Sequence, residues 1–237
     1  MEKKGKLYLI PAPLGEGGLQ SIPEYVVRQI HQLDFFIAER AKTARRFIKS
    51  THPERSISDL FFYELNKFTT PEEKNTFLHD ALNGKDVGLL SEAGCPGVAD
   101  PGAEIVSMAH RMGIEVIPLV GPSSILLALM ASGMNGQNFA FTGYLPAKKP
   151  ELGKALKQAE QLSARLKQTQ IFIETPYRNM SFVEVALDAL RLQTRMCIAA
   201  DLTLSSQYIL TKTIGEWRKI KIPDLHKRPA IFLIDAG

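Results

Sequence analysis

The sequence is poor in cysteine and tryptophan, with two of the first and one of the second in 237 residues. Cys95 and Cys197 lie far apart and form no C-x-x-C pair. That spacing argues against a disulfide framework and a structural zinc site, and it points to a reducing compartment. Long apolar runs are lacking as well. The best, residues 125–131, is one or two helical turns and falls well short of a membrane span. The apolar run 7–10, behind the charged start Met1-Glu2-Lys3-Lys4-Gly5-Lys6, stops at Pro11 before it reaches the length of a signal core. A cytoplasmic protein without membrane contact is therefore expected. The five histidines (His31, His52, His79, His110, His226) show no H-E-x-x-H spacing, and there is no G-x-S-x-G elbow and no kinase or nuclease signature. No metal is expected. Charge of neither sign is in large excess. The net charge of +4 permits contact with a nucleic acid without demanding it.

What is present is an ordinary globular composition, 45% hydrophobic and 23% charged, in a chain long enough to bury a sizeable core. Short apolar runs alternate with helical patterns. Strands are expected at residues 6–10, 35–38, 86–90 and 114–119. Helices are expected at 22–33 with Ser21 as N-cap, at 42–49, at 71–82 with Thr70 as N-cap, and at 103–111 ending at Gly113. A second half begins near Gly121-Pro122, with helices at 123–131 (packed on both sides), 152–167 and 178–190. Its strands are expected at 138–142, 170–173, 195–199, 208–213 and 230–234. The alternation predicts an α/β protein of two lobes, residues 1–120 and 121–237, built on mostly parallel sheets. Ligands would bind along the edge formed by the carboxyl ends of the strands.

Four turns that follow strands carry the informative residues. The first, Pro11-Ala12-Pro13-Leu14-Gly15-Glu16-Gly17-Gly18, is too rich in proline for a dinucleotide fingerprint, and no Walker lysine follows it; taken alone it reads as a rigid loop. The second, residues 89–102, packs three glycines and two prolines between a strand and a helix. Long ordered loops of this kind are disproportionately functional. Ala93-Gly94 leaves room for a flat ligand against the backbone, and Asp100 either caps the next helix or touches that ligand. The third, Val120-Gly121-Pro122-Ser123-Ser124, places Ser123 or Ser124 at a helix start, where each caps the helix or contacts a polar ligand edge. In the fourth, Ile173-Glu174-Thr175-Pro176-Tyr177-Arg178, Tyr177 and Arg178 are placed to stack on or clamp a substrate. A basic cluster, Arg40, Lys42, Arg45, Arg46 and Lys49, reads either as a solvated helix face or as a phosphate-binding surface.

These loops, in this order, resemble the tetrapyrrole methylase superfamily, and within it the branch of small-subunit ribosomal RNA 2′-O-ribose methyltransferases. The resemblance rests on LYLIPAPLG at 7–15, GLLSEAGCPGVADPG at 88–102, PLVGPSS at 118–124, FTGYLPAKK at 141–149 and FIETPYR at 172–178. It implies two α/β lobes with S-adenosylmethionine in a cleft between them, a homodimer, and no metal. Carried over motif by motif, cofactor contacts are implied at Leu14, then at Ser91, Glu92, Ala93, Gly94, Val98 and Asp100, and then at Ser123 and Ser124. In the second lobe they are implied at Ile173, Glu174 and Thr175, at Leu202 and Thr203, and at Pro229 and Ala230.

The chain also departs from that branch. An acidic-Asp-Thr-Arg run after the second strand reads Glu39-Arg40-Ala41-Lys42 here, and the histidine of a His…Asn-Glu cluster is missing from the region 64–73. An Arg-Glu-Leu-Thr-Lys motif reads Ala200-Asp201-Leu202-Thr203-Leu204, a Lys-Gly-Glu reads Lys227-Arg228-Pro229, and Glu92 stands where the branch carries aspartate. The cofactor frame is kept better than the acceptor site, as in a divergent paralogue. The expected activity is methylation of RNA, at a ribose 2′-hydroxyl of the ribosomal small subunit. Glu39 or Asp100 would assist the hydroxyl, Arg40, Lys42, Arg45 and Arg46 would hold phosphates, and Phe141 or Tyr177 would stack a base. The competing readings are a methyltransferase for a small molecule such as a tetrapyrrole, and a cofactor-binding module without turnover.

Overall fold

In the first half, strands form where short apolar runs are closed by turn residues. The computed structural model describes residues 3–237, so Met1 and Glu2 of the charged start lie outside the described residues. Five strands, β1 (Lys6–Ile10), β2 (Phe35–Ala38), β3 (Phe61–Glu64), β4 (Val87–Leu90) and β5 (Glu115–Pro118), form one sheet in the order β3-β2-β4-β1-β5. Every neighbouring pair is parallel, with Leu7 opposite Val87 and Ile10 opposite Leu90 across the centre. Five helices accompany them: α1 (Glu24–His31), α2 (Ala41–Ser50), α3 (Pro71–Thr76), α4 (His79–Leu82) and α5 (Gly102–Arg111).

A parallel sheet must be covered on both faces, and the two-residue alternation of strand side chains does this here. Leu7, Ile37 and Leu89 pack with Ile105 and Met108 of α5. Ile10, Phe36 and Leu90 pack on the other face with Val26 and Ile30 of α1 and with Ile48 of α2. The chains leaving β1 and β2 therefore run to one face, and the chain leaving β4 runs to the other. In an open α/β sheet, ligands bind at such a divergence, outside the carboxyl ends of the strands.

The second half builds a different sheet. Strands β6 (Phe139–Gly143), β7 (Thr169–Glu174), β8 (Arg195–Ala200), β9 (Tyr208–Thr213) and β10 (Ala230–Asp235) lie in the order β6-β7-β10-β8-β9. Only the β6–β7 pair is parallel; the other three pairs are antiparallel. The expectation of a mostly parallel sheet is therefore corrected for this half. β8 is reached through α8 and runs the same way as β7, but β10 inserts between the two in the opposite direction and β9 folds back on β8, so neighbouring directions alternate from β7 onward. One face carries α7 (Lys149–Leu166), α8 (Asn179–Ala189) and α9 (Ile214–Trp217) over a core in which Phe182 stacks on Phe232 at 4.3 Å. Trp217 is fully buried there, and its indole nitrogen donates to the Met196 carbonyl at 2.8 Å. α6 (Ser124–Ser132) lies along β10 and β9. The chain divides into two compact units, Met1–Ser123 and Ser124–Gly237.

Several local expectations change. Ser21 does not cap α1: it closes a short 3-10 turn, Leu19–Ser21, and Pro23 holds the cap position. The pattern at 71–82 breaks into α3 and α4 around Phe77 and Leu78, although Thr70 does cap α3, in a reciprocal capping box with Glu73. β3 is not among the expected strands; its four residues, FFYE, take their place by parallel pairing with β2, a contact between segments far apart in the chain. α6 is not packed on both sides, since Leu126 and Met130 are exposed, at 51% and 79%.

Candidate active site

In the first unit, the loops that leave β1, β4 and β5 are fastened to one another at the carboxyl edge of the sheet. Ala12 and Gly94 exchange backbone hydrogen bonds of 2.9 and 3.0 Å across the divergence between β1 and β4. Gly94 takes φ +74°, a region that L side chains avoid, and a Cβ there would meet Leu14 at 3.3 Å and the Pro122 carbonyl at 3.5 Å. The loop after β5 closes the other side. A Cβ on Gly121 would come within 2.3 Å of the Pro11 ring, and the Cys95 thiol donates to the Pro122 carbonyl at 3.5 Å. The first loop is thus rigid, as its prolines suggested, and it is also one wall of a shared platform.

Acidic groups converge on this platform. Asp100 Oδ1 accepts from the amides of Gly97 and Gly102, at 2.6 and 2.9 Å. It therefore fixes the loop and serves the first residue of α5, while Pro101 holds the cap position itself. Glu92 is exposed, and its Oε1 accepts from the Thr43 hydroxyl at 2.5 Å. Glu39, at the end of β2, is half-buried. Desolvation raises its carboxyl above the ordinary value, with the charges of Asp100 and then Glu92 adding to the shift and Arg40 opposing it. Three of the expected site residues thus share one electrostatic field. Ser91 is buried and contacts Ala93 through its hydroxyl, Val98 is exposed, and the neighbouring Ala99 takes φ +59°. Ser123 closes the platform in sequence, and Ser124 begins α6 in the second unit.

Two cavities flank the platform. One, of about 490 Å³, is lined by Leu14 and its neighbours, Glu92, Ala93 and the α2 residues Thr43, Arg46 and Phe47. The other, of about 610 Å³, lies where β2 and β3 end and is lined by Glu39, Arg40 and the segment 66–69, with Lys74 and Pro101. The basic cluster is divided between roles. Arg46 pairs with Glu16 at 3.2 Å, and Arg45 lies over the Phe62 ring at 4.6 Å. Arg40 and Lys42 are exposed, and no ion pair engages either among the described residues. Glu64 Oε1 accepts from the Ala41 amide at 2.8 Å, so the cap of α2 comes from another strand. The segment 66–69 is absent from the expected site residues. Its signal was turn chemistry, Asn66 followed by Thr69-Thr70-Pro71, rather than any catalytic pattern.

The second unit gathers its own loops at one sheet edge: the ends of β6, β7 and β8 and the start of β10. Asp201, Thr203 and Lys227 all have positive φ there, at 51, 71 and 62°. For the β-branched Thr203 this is an outlier that surrounding structure must impose. Asp201 Oδ2 accepts from Arg228 at 2.7 Å and Ser206 at 2.8 Å, and the Asp201 amide donates to the Pro229 carbonyl at 2.9 Å. These bonds hold Leu202 and Thr203 beside the Pro229-Ala230 entry into β10. Glu174 is buried and pairs with Arg178 at 2.7 Å, and its Oε1 accepts from the Thr175 amide. Arg178 also donates to the carbonyls of Leu145 and Pro146, so this guanidinium ties two loops together instead of standing open as a clamp. Tyr177 is 71% exposed and meets the His226 ring edge-on, with centroids 5.7 Å apart. Ile173 and Phe141 are half-buried in their strands. Among the described residues, no group of His, Cys, Asp and Glu is placed to hold a metal ion, and no helix is long and apolar enough to cross a membrane.

Comparison with known proteins agrees with this architecture. The family model for tetrapyrrole (corrin/porphyrin) methylases matches residues 6–217. The ribosomal RNA small subunit methyltransferase I of Halalkalibacterium halodurans is 30% identical over 215 residues, 91% of this chain and 70% of the relative. A crystal structure of diphthine synthase superposes with a TM-score of 0.69 over 98% of this chain and 90% of the other, at 15% identity. The Thermus thermophilus uroporphyrin-III C-methyltransferase complexed with S-adenosylhomocysteine superposes with a TM-score of 0.56, over 98% of this chain and 97% of that one, at 16% identity. At such identities the two structures speak for the fold. With the family model covering most of the chain, and a relative at this identity, the protein belongs to the tetrapyrrole (corrin/porphyrin) methylases and is a methyltransferase.

Proposed function

We propose that this methyltransferase transfers a methyl group from S-adenosylmethionine to a ribose 2′-hydroxyl of small-subunit ribosomal RNA. The acceptor follows the relatives that are named for that RNA and match most of the chain. The observation that carries the cofactor is the platform itself: loops locked together through Gly94, which packs against Leu14 and the Pro122 carbonyl, with Glu39, Glu92 and Asp100 around them and their mutual repulsion only partly relieved. A cationic ligand suits that field better than an anionic one.

The bound cofactor supplies a methyl group already activated by the positive sulfur. The protein's task is then alignment and proton management. Cofactor contacts are assigned to Leu14, Ser91, Ala93 and Gly94, and to Ile173 to Thr175, Leu202-Thr203 and Pro229-Ala230. Glu39 accepts the proton of the attacking hydroxyl on its carboxylate, where its raised pKa makes it a better base than an ordinary glutamate. Asp100 keeps the loop in place through two amides. Arg40 and Lys42 hold backbone phosphates. The enzyme works in the cytoplasm as a homodimer, a reading supported by the exposed apolar pair Leu126 and Met130 on α6.

Calorimetric titration with S-adenosylhomocysteine tests the cofactor. Micromolar binding is expected for the wild type, and its loss in Gly94→Leu, which strains the backbone at φ +74° and presses a larger side chain against Leu14. No binding by the wild type, with or without small-subunit RNA, would end this reading.

A further inference from the structure

The cavity at the ends of β2 and β3 has a feature that the roles above leave unused. Phe68 is 79% exposed at its rim, and an aromatic ring that far into water is at odds with ordinary burial preferences. The backbone that presents it is not loose. The Phe68 amide donates to Asn66 Oδ1 at 2.9 Å, the Asn66 amide to the Thr69 hydroxyl at 2.9 Å, and that hydroxyl to the Glu64 carbonyl at 2.8 Å. The Thr69 amide closes the turn on the Asn66 carbonyl at 3.1 Å. The ring is held out by a closed hydrogen-bonded loop.

Its surroundings carry positive charge. Lys67 Nζ lies 4.9 Å over the Phe68 ring. Across the cavity stands Arg40, and neither Arg40 nor Lys67 is in an ion pair among the described residues. Lys74, by contrast, is taken by Glu104 at 2.6 Å. Glu39 lines the same cavity, so the ring and the proposed base face one space. An exposed aromatic face on an ordered loop, flanking cations and an adjoining cavity are the recurring parts of a single-strand nucleic-acid site.

We propose that Phe68 is a stacking platform for an unpaired base of the acceptor RNA, with Lys67 and Arg40 neutralising the phosphates beside it, so that the attached ribose is presented to Glu39. This rests on the reading of the enzyme as an RNA methyltransferase and names the residues that would select its acceptor. Because every base has a π-face, the platform fixes position and strandedness more than sequence.

The experiment compares wild type, Phe68→Ala, Phe68→Trp and Lys67→Gln with two RNA probes, unmodified small-subunit ribosomal RNA and a short single-stranded oligoribonucleotide. Phe68→Ala is expected to raise the KM for RNA about tenfold, to change kcat little, and to leave S-adenosylhomocysteine affinity as it was. Phe68→Trp should keep the wild-type KM. Its new indole should also be quenched by the oligoribonucleotide, in a salt-sensitive way, but not by polyglutamate; the single native tryptophan, Trp217, is fully buried in the other unit. A KM within twofold of wild type for Phe68→Ala, or equal quenching by polyglutamate, would overturn the proposal. Should the wild type methylate no small-subunit RNA, the functional reading falls separately. The quenching then decides this one: base-dependent quenching supports a stacking site and its absence removes it.

Discussion

Glu39 concentrates the chemistry of the first unit in one carboxyl group. Its pKa is raised because burial disfavours the charged form and because Asp100 and Glu92 repel it, while Arg40 recovers only part of the difference. In the folded protein the group therefore holds its proton to a higher pH than in the unfolded chain. Stability falls as pH rises from the ordinary carboxylate value through the raised one, and the penalty stays in full above that. Under the proposed role of Glu39 as base, catalysis has the opposite dependence, since only the charged form accepts a proton. Activity of the wild type should fall on acidification at a higher pH than an ordinary glutamate would set. Glu39→Gln should lose activity by about 100-fold while melting no lower than wild type at neutral pH. A melting temperature well below wild type would show Glu39 to be a structural anchor instead.

Glycine placement shows how the loop elements become a platform. Gly121 is not in a left-handed conformation; it is required because the Pro11 ring lies where a Cβ would be. Gly121→Ala should destabilise the protein by about 1–3 kcal/mol, since a proline ring has no alternative rotamer to yield space. It should also weaken S-adenosylhomocysteine binding, because the loops after β1 and β5 would separate. Thermal melting and calorimetry on the same preparation check both; unchanged stability would mean that the two loops do not bear on each other. This interlock was only partly legible in the sequence. The motifs at 7–15, 88–102 and 118–124 announced three loops at a strand edge, and they are there. The Ala12–Gly94 pairing joins positions far apart in the chain, which no local pattern reports. For the same reason the cap of α2 escaped notice, since Glu64, which accepts from the Ala41 amide, lies 23 residues away in the chain. Arg178 looked available from its neighbours, but the buried Glu174 four residues before it had already claimed it.

At the scale of the whole molecule, the two units satisfy their cores differently, and α6 exposes apolar side chains on one of its sides. Its sequence, SILLALMAS, is apolar all round, as a helix buried on all sides would be. One side does pack: Ile125, Ala128 and Leu129 are buried, and the helix end is tied down by Thr211 donating to the Ser132 carbonyl at 2.8 Å. Leu126 and Met130, one turn apart, are exposed at 51% and 79%. Paired apolar side chains on one helix face mark an association surface more often than isolated ones do, and a second copy of the chain would complete the burial that the composition of α6 implies. Wild-type protein should therefore sediment as a dimer at micromolar concentration. Met130→Glu places a charge on that face without touching the packed side, so it should shift the species to monomer while leaving the melting of each unit in place. A variant that still sediments as a dimer would assign the exposed pair another role. A wild type that is monomeric throughout would mean that α6 keeps this face in water and that the enzyme works as a single chain.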